Sequence, residues 1–193
     1  QFLHLAARLW SGAQIIGVEP NAGLAAKADA LYRDNPRVRV ESCAVGAEDG
    51  QIDLFVTAND QNSSIHAPSA AFHDDRTDDG VVRTEAVALK RLDTLLVGDT
   101  GPMLVKIDVQ GAELEVLQGA GDRLDDFAVI IIESPFEVAY DGAAGFDEIY
   151  RFLTARGFVY EGALGQLNSK HPGRVRQEDS IYVRAQLRPA DTA

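Results

Sequence analysis

Three short apolar segments, residues 15–19, 103–109 and 127–133, each close on or beside a carboxylate, Glu19, Asp108 and Glu133, and a helical pattern follows each of them. This order of strand, acid and helix constrains the chain more than any other feature. The run Ala128-Val129-Ile130-Ile131-Ile132 is apolar at every position, and a strand without alternation needs cover on both faces, as in the middle of a parallel sheet. Strands of that kind alternating with helices predict an α/β fold.

The remaining pattern fits the same plan. Residues 2–10 place Phe2, Leu5, Ala6 and Leu9 at helical spacing, and Gly12 follows as a stop. Asn21 suits the N-cap of a helix over residues 22–33, because its side-chain oxygen can accept an early N–H. Residues 38–45 read as one strand, 52–57 as another after the Asp49-Gly50 turn, and 81–89 as a third. A short helical stretch at 92–97 precedes the second acid-ended strand, and 111–119 is its helix. A helix at 146–156 should end at Gly157, and 158–161 with 180–184 predict a closing hairpin. Residues 58–80 have no period, and a loop that long in a domain is more often functional than idle. Residues 162–179 carry no assignable pattern. With no repeat and no linker, the expectation is one domain over 1–193.

Thirty acidic residues against 18 basic ones leave a net charge of −12, a field that repels phosphate backbones and anionic membrane surfaces. Neither nucleic acid nor membrane is expected as a partner, and the oligomeric state is not readable. Cys43 is the only cysteine, which excludes an intrachain disulfide and Cys-rich metal sites and fits a reducing cytoplasm. No apolar run approaches the ~20 residues of a membrane span. Residues 1–12 lack the features of a signal peptide. Without an initiator Met, the chain is expected to begin inside a longer protein.

Ligands of open parallel sheets sit beyond the carboxyl ends of the strands, so the acids there are the candidate site. An acid in the position of Glu19 can accept both hydroxyls of a ribose or serve the helix N-terminus that follows. Lys106 and Asp108 are two apart on a strand and share a face. A Lys among Leu104, Val105 and Ile107 needs a partner, with Asp108, Glu113 and Glu133 the nearest candidates, either as a structural ion pair or as part of a catalytic group. Asp108, Glu113 and Glu133 are equally candidates for a divalent metal or for acceptor binding. Glu113 also suits a first helical turn on dipole grounds alone. His66 and His73, in the long loop, titrate near neutrality and are candidate general bases. Ser63 and Ser64 can bind a ligand or make a turn.

The segment 106–120, reading KIDVQGAELEVLQGA, closely resembles the central motif of FkbM-family methyltransferases. Gly17-Val18-Glu19-Pro20-Asn21, Ala44-Val45-Gly46, Asp49-Gly50, Ser63-Ser64, Leu92-Asp93-Thr94-Leu95-Leu96 and Ile130-Ile131-Ile132-Glu133 match in the family's order, over about two-thirds of the chain. The resemblance implies a Rossmann-like class I methyltransferase sheet, mostly parallel with an antiparallel C-terminal hairpin, here lacking its first strand and Gly-rich loop. It implies methyl transfer from S-adenosylmethionine to a hydroxyl of a small molecule such as a sugar or polyketide. Glu19, Pro20, Ala44, Val45 and Asp108 would bind the cofactor, Ser63, Ser64 and Glu133 the acceptor. Asp108 would act as base, with Lys106, Glu113 and His66 as further catalytic candidates. The sequence departs from the family at Gln110, where Glu is usual, and an amide is neither base nor anionic ligand. The rival readings are a non-catalytic methyltransferase-like binding domain and a nicotinamide oxidoreductase. The second would need a Tyr and Lys pair at one-turn helical spacing, which the sequence lacks.

Overall fold

The computed structural model describes residues 2–59, 62–69, 80–169 and 172–188. Helix α1 (Phe2–Leu9) leads to strand β1 (Ile15–Val18) and helix α2 (Ala22–Tyr32). The Asn21 carboxamide caps α2 by accepting from the N–H groups of Gly23 and Leu24 at 3.0 and 3.2 Å, as the sequence predicts. Strands β2 (Val38–Glu41), β3 (Ala44–Gly46), β4 (Gly50–Thr57) and β5 (Val81–Arg91) follow, then the one-turn helix α3 (Leu92–Leu95). Strand β6 (Met103–Ile107) and helix α4 (Glu113–Gly119) precede a 3-10 segment, Gly121–Asp126. The chain then forms β7 (Phe127–Pro135), α5 (Phe146–Thr154), β8 (Phe158–Asn168) and β9 (Val175–Arg184).

The strands pair in three groups. β1 runs parallel to β2; β5 lies between β3, parallel to it, and β4, antiparallel; and the third group has the order β6-β7-β9-β8. In that third group β6 and β7 are parallel, and β9 enters antiparallel between β7 and β8. The expected α/β class holds, but three of the six pairings among the described residues are antiparallel, so "mostly parallel" is corrected to mixed. The single strand expected at 38–45 is two strands. The chain changes neighbour at Ser42-Cys43, leaving β1 for β5, and with strand-forming valines at 38, 40 and 45 and no Gly or Pro between them the sequence gives no sign of the break. The closing hairpin is present but longer than the sequence suggests, because residues 162–168 extend β8 and residues 175–179 form the first half of β9.

One face of β6, β7 and β9 carries the core. Ile107, Ile130, Ile132 and Tyr182 are buried there against Val116 and Leu117 of α4 and Ile149 and Leu153 of α5. Burying each such side chain contributes about 2 kcal/mol. Two glycines of the 106–120 segment are dictated by packing. A Cβ on Gly119 would lie 2.0 Å from the carbonyl oxygen of Gly46, so α4 rests directly on the β3 backbone. Gly111 has φ +111°, and a Cβ there would meet the Cβ of Tyr140 at 2.9 Å. No helix of the described residues is long and apolar enough to cross a membrane.

Candidate functional site

The carboxyl ends of β6 and β7, with the turn from β6 into α4, gather most of the acids singled out in the sequence. Lys106 projects from the face of β6 opposite the core, with its side chain 14% exposed. Its ammonium pairs with Asp179 of β9 at 2.6 Å and reaches Asp108 only at 3.6 Å. The expected partners were Asp108, Glu113 and Glu133; Asp179 takes first place because β9 is seated beside β7, with Asp179 directly opposite Glu133 in the register. Asp108 keeps 45% of its side chain exposed, so it is the carboxylate of this group most open to a ligand.

Glu113 has turned inward. It is 1% exposed, and its carboxylate accepts the N–H groups of Val109 at 3.1 Å and Gly111 at 3.0 Å. Burial raises its pKa to about 6, against the opposing pull of the N–H groups of Gly111, Glu113 itself and Val109. It clamps the turn between β6 and α4 and is shielded from any ligand. Asp108, Glu113 and Glu133 therefore do not converge as a metal-ligand triad, and among the described residues no group of three His, Cys, Asp or Glu side chains is placed to hold a metal ion.

Glu133, at the end of β7, is bridged on both oxygens by amides, Gln110 on Oε2 at 3.0 Å and Gln177 on Oε1. Burial first, then the charges of Asp108 and Glu113, push its pKa up to about 8, with Lys106 pulling the other way. Gln110 is the hub of the site. Its Nε2 also donates to Asp108 Oδ1 at 2.8 Å, and its Oε1 accepts from the Tyr140 hydroxyl at 2.9 Å. The sequence marked Gln110 only as a lost carboxylate, and missed Tyr140, Gln177 and Asp179 altogether. Gln177 and Asp179 do alternate on one face of their strand, but that signal is legible only once the strand is known.

The loop residues serve the same turn. Ser64 is 1% exposed; its hydroxyl donates to the Gln110 carbonyl at 2.5 Å and accepts the His66 N–H at 2.9 Å. Ser63 Oγ accepts the Thr57 N–H at 3.4 Å. His66 pairs through Nε2 with Glu115 of α4 at 3.1 Å. That hydrogen bond raises the His66 pKa, while burial alone would lower it. For Glu115, burial works upward, but the bond to His66 and the charge on its ring bring the net shift downward. Both Ser64 and His66 are thus occupied in fastening the loop. His73, the other candidate base, lies outside the described residues.

The third acid, Glu19, stands at the end of β1, half-buried, with Oε1 accepting the Asn21 N–H at 2.8 Å and its own N–H bonded to the Glu41 carbonyl. Pro20 is half-buried beside it, and the chain leaves Glu41 for β3 alongside. Ala44 and Val45 of β3 are 3% and 8% exposed, and the Val45 side chain belongs to the core.

This arrangement can hold a hydroxylated ligand at two strand ends and accept a proton at an exposed carboxylate fixed by a Lys and an amide. In comparisons with known proteins, no curated protein and no solved structure matches the chain. A family model does, described as the Methyltransferase FkbM domain, over residues 1–160.

Proposed function

Taking as premise that the chain belongs to the FkbM methyltransferase family, we propose that it moves a methyl group from S-adenosylmethionine to a hydroxyl of a small molecule, with Asp108 as the base. The observation that carries this reading is the exposure of Asp108 at the end of β6 while its neighbours are engaged: Lys106 by Asp179, Glu113 by the backbone, and Glu133 by Gln110 and Gln177. A general base must be able to meet the proton it takes, and among these carboxylates Asp108 meets that requirement best.

The donor set around β1 and β3 fits the nucleoside end of the cofactor. Glu19 would hold the ribose hydroxyls, as an acid at a strand end does in nucleoside-binding sheets, and Pro20 with the backbone of Ala44 and Val45 would line the same end. When bound, S-adenosylmethionine supplies a methyl group made electrophilic by its sulfonium. That methyl would be delivered to the acceptor oxygen with the sulfur leaving as a neutral thioether, and Asp108 would take the acceptor's hydroxyl proton and pass it to solvent. The protein otherwise contributes orientation and exclusion of water.

We also read β1–β2 and β6-β7-β9-β8 as two parts of one Rossmann-like sheet within a single domain. β1 and β6 each have one edge without a strand partner among the described residues, and the first strand of the family's fold would fill a gap between them. The acceptor is a hydroxylated metabolite rather than nucleic acid or lipid surface, on the strength of the −12 charge, and the single Cys43, buried as a thiol, suits the cytoplasm.

The test combines calorimetry with S-adenosylmethionine and transfer of a tritiated methyl group to a panel of glycosides and hydroxylated polyketides. Binding with transfer supports the proposal. Binding without transfer to any acceptor makes the chain a binding domain, and absence of binding overturns the cofactor assignment. Glu19→Gln should weaken cofactor binding by about 1–3 kcal/mol through loss of charge-assisted hydrogen bonds.

A further inference from the structure

We propose that Gln110 is a positioning residue whose amide ties the Asp108 and Glu133 carboxylates into one hydrogen-bonded pair, fixing the direction in which Asp108 presents its other oxygen, Oδ2, which lies 3.6 Å from the Lys106 ammonium. The inference rests on the reading of Asp108 as the base and adds a residue whose usual family counterpart, a carboxylate, has no hydrogen to donate.

The backbone gives the first indication. Gln110 has φ +55°, the only non-glycine residue with positive φ among those described. Holding a side-chain-bearing residue in that region strains the backbone, and glycine would relieve it. The strain is opposed by anchors on every side: Ser64 donates to the Gln110 carbonyl at 2.5 Å, and Glu113 accepts the N–H groups of the residues before and after it. The turn is built to keep a long side chain where glycine would sit more easily, so the use of position 110 lies in its side chain.

The side chain is itself oriented. The Tyr140 hydroxyl donates to Oε1 at 2.9 Å, which leaves the NH₂ group turned to the carboxylates. Its two hydrogens reach Asp108 Oδ1 at 2.8 Å and Glu133 Oε2 at 3.0 Å. The charged and titratable groups facing the pair come from every neighbouring element: Lys106 from β6, Glu113 from α4, and Asp179 from β9. Four carboxylates around one ammonium carry excess negative charge. An amide between two of them answers part of it by donating to both, whereas a glutamate there would add a fifth carboxylate and remove both donors.

The experiment follows the side-chain carboxyl carbons by NMR across pH in the parent protein, Gln110→Glu and Tyr140→Phe, with thermal melting to establish folding. It needs neither cofactor nor acceptor, so its outcome is independent of whether methyl transfer is found. In Q110E the Glu133 midpoint should rise by about one pH unit, a tenfold change in proton affinity. Y140F, which keeps the ring packed on Gly111 and removes the hydroxyl that orients the amide and also reaches the Asn62 carbonyl at 3.2 Å, should shift it by less in the same direction. If Q110E fails to fold, Y140F alone decides. A folded variant in which Glu133 titrates as in the parent overturns the proposal.

Discussion

At the scale of single residues, the two acids of the 106–120 segment show how like residues diverge. Asp108 and Glu113 are five apart and both follow a strand, yet one is open and the other 1% exposed. Asp108→Asn should leave the fold intact, because Lys106 keeps its 2.6 Å bond to Asp179, and should lower kcat by about 10²–10⁴, the range for losing a general base. Single-turnover methyl transfer at saturating cofactor measures this; a parental rate would make Asp108 structural. His66 should report on pH instead. Glu115 raises its folded pKa above the ordinary 6.5, so the pair's stabilisation is fully present below that value and fades as pH rises through the folded pKa. On the acid side it is lost only as Glu115, itself held below the ordinary 4.5, takes up a proton. The pair is worth about 1 kcal/mol at most. His66→Gln should therefore lose stability against urea at pH 5.5 and little at pH 8.5. The residue types of the site were legible in the sequence, but their partners were not: nothing local in the chain says that Lys106 meets Asp179, 73 residues on.

At the scale of elements, strand and helix positions were largely legible because apolar period, caps and glycine stops act locally. The N-cap at Asn21 and the stop at Gly157, with φ +81°, are both where the pattern puts them. What failed was whatever depends on a distant neighbour: the break at Ser42-Cys43, the place of β5 between β3 and β4, and the long arms of β8 and β9. Exposed arm residues such as Leu164 and Leu167 obscure the alternation that would mark a half-buried strand. The glycine of the α4–β3 contact offers a test in which two effects oppose. Alanine in place of glycine in a helix gains about 1 kcal/mol of propensity, but at Gly119 its methyl would stand 2.0 Å from a backbone carbonyl that cannot swing aside. Overpacking should win, and Gly119→Ala should destabilise the protein by about 3 kcal/mol in urea unfolding. A stabilised variant would show that α4 does not lie directly on β3.

At the scale of the whole molecule, the distribution of strand pairing sets where the structure should open. β7 is paired on both sides, by β6 and β9, and Ile130 and Ile132 are 0% exposed. β1 and β6 are paired on one side each among the described residues. None of the four residues of β1 is fully buried, and Leu104 of β6 is 42% exposed. An amide exchanges through the cheapest opening available to it. For β7 that opening requires disrupting two ladders and the core, so its amides should be slowed by about 10³-fold or more, near the limit set by global stability. The amides of β1 and β6 that point to the unpaired edges have no ladder to break and should exchange nearly as fast as in an unfolded chain. Residue-resolved hydrogen exchange separates these classes directly. The same measurement bears on whether the two edges border one gap. In a longer chain that sets a strand between them, the outward amides of β1 and β6 should gain protection together, while those on the outer edge of β8 stay as they were. Protection appearing on one of the two edges alone would show that β1 and β6 do not share a neighbour, and the reading of β1–β2 and β6-β7-β9-β8 as a single sheet would fall with it.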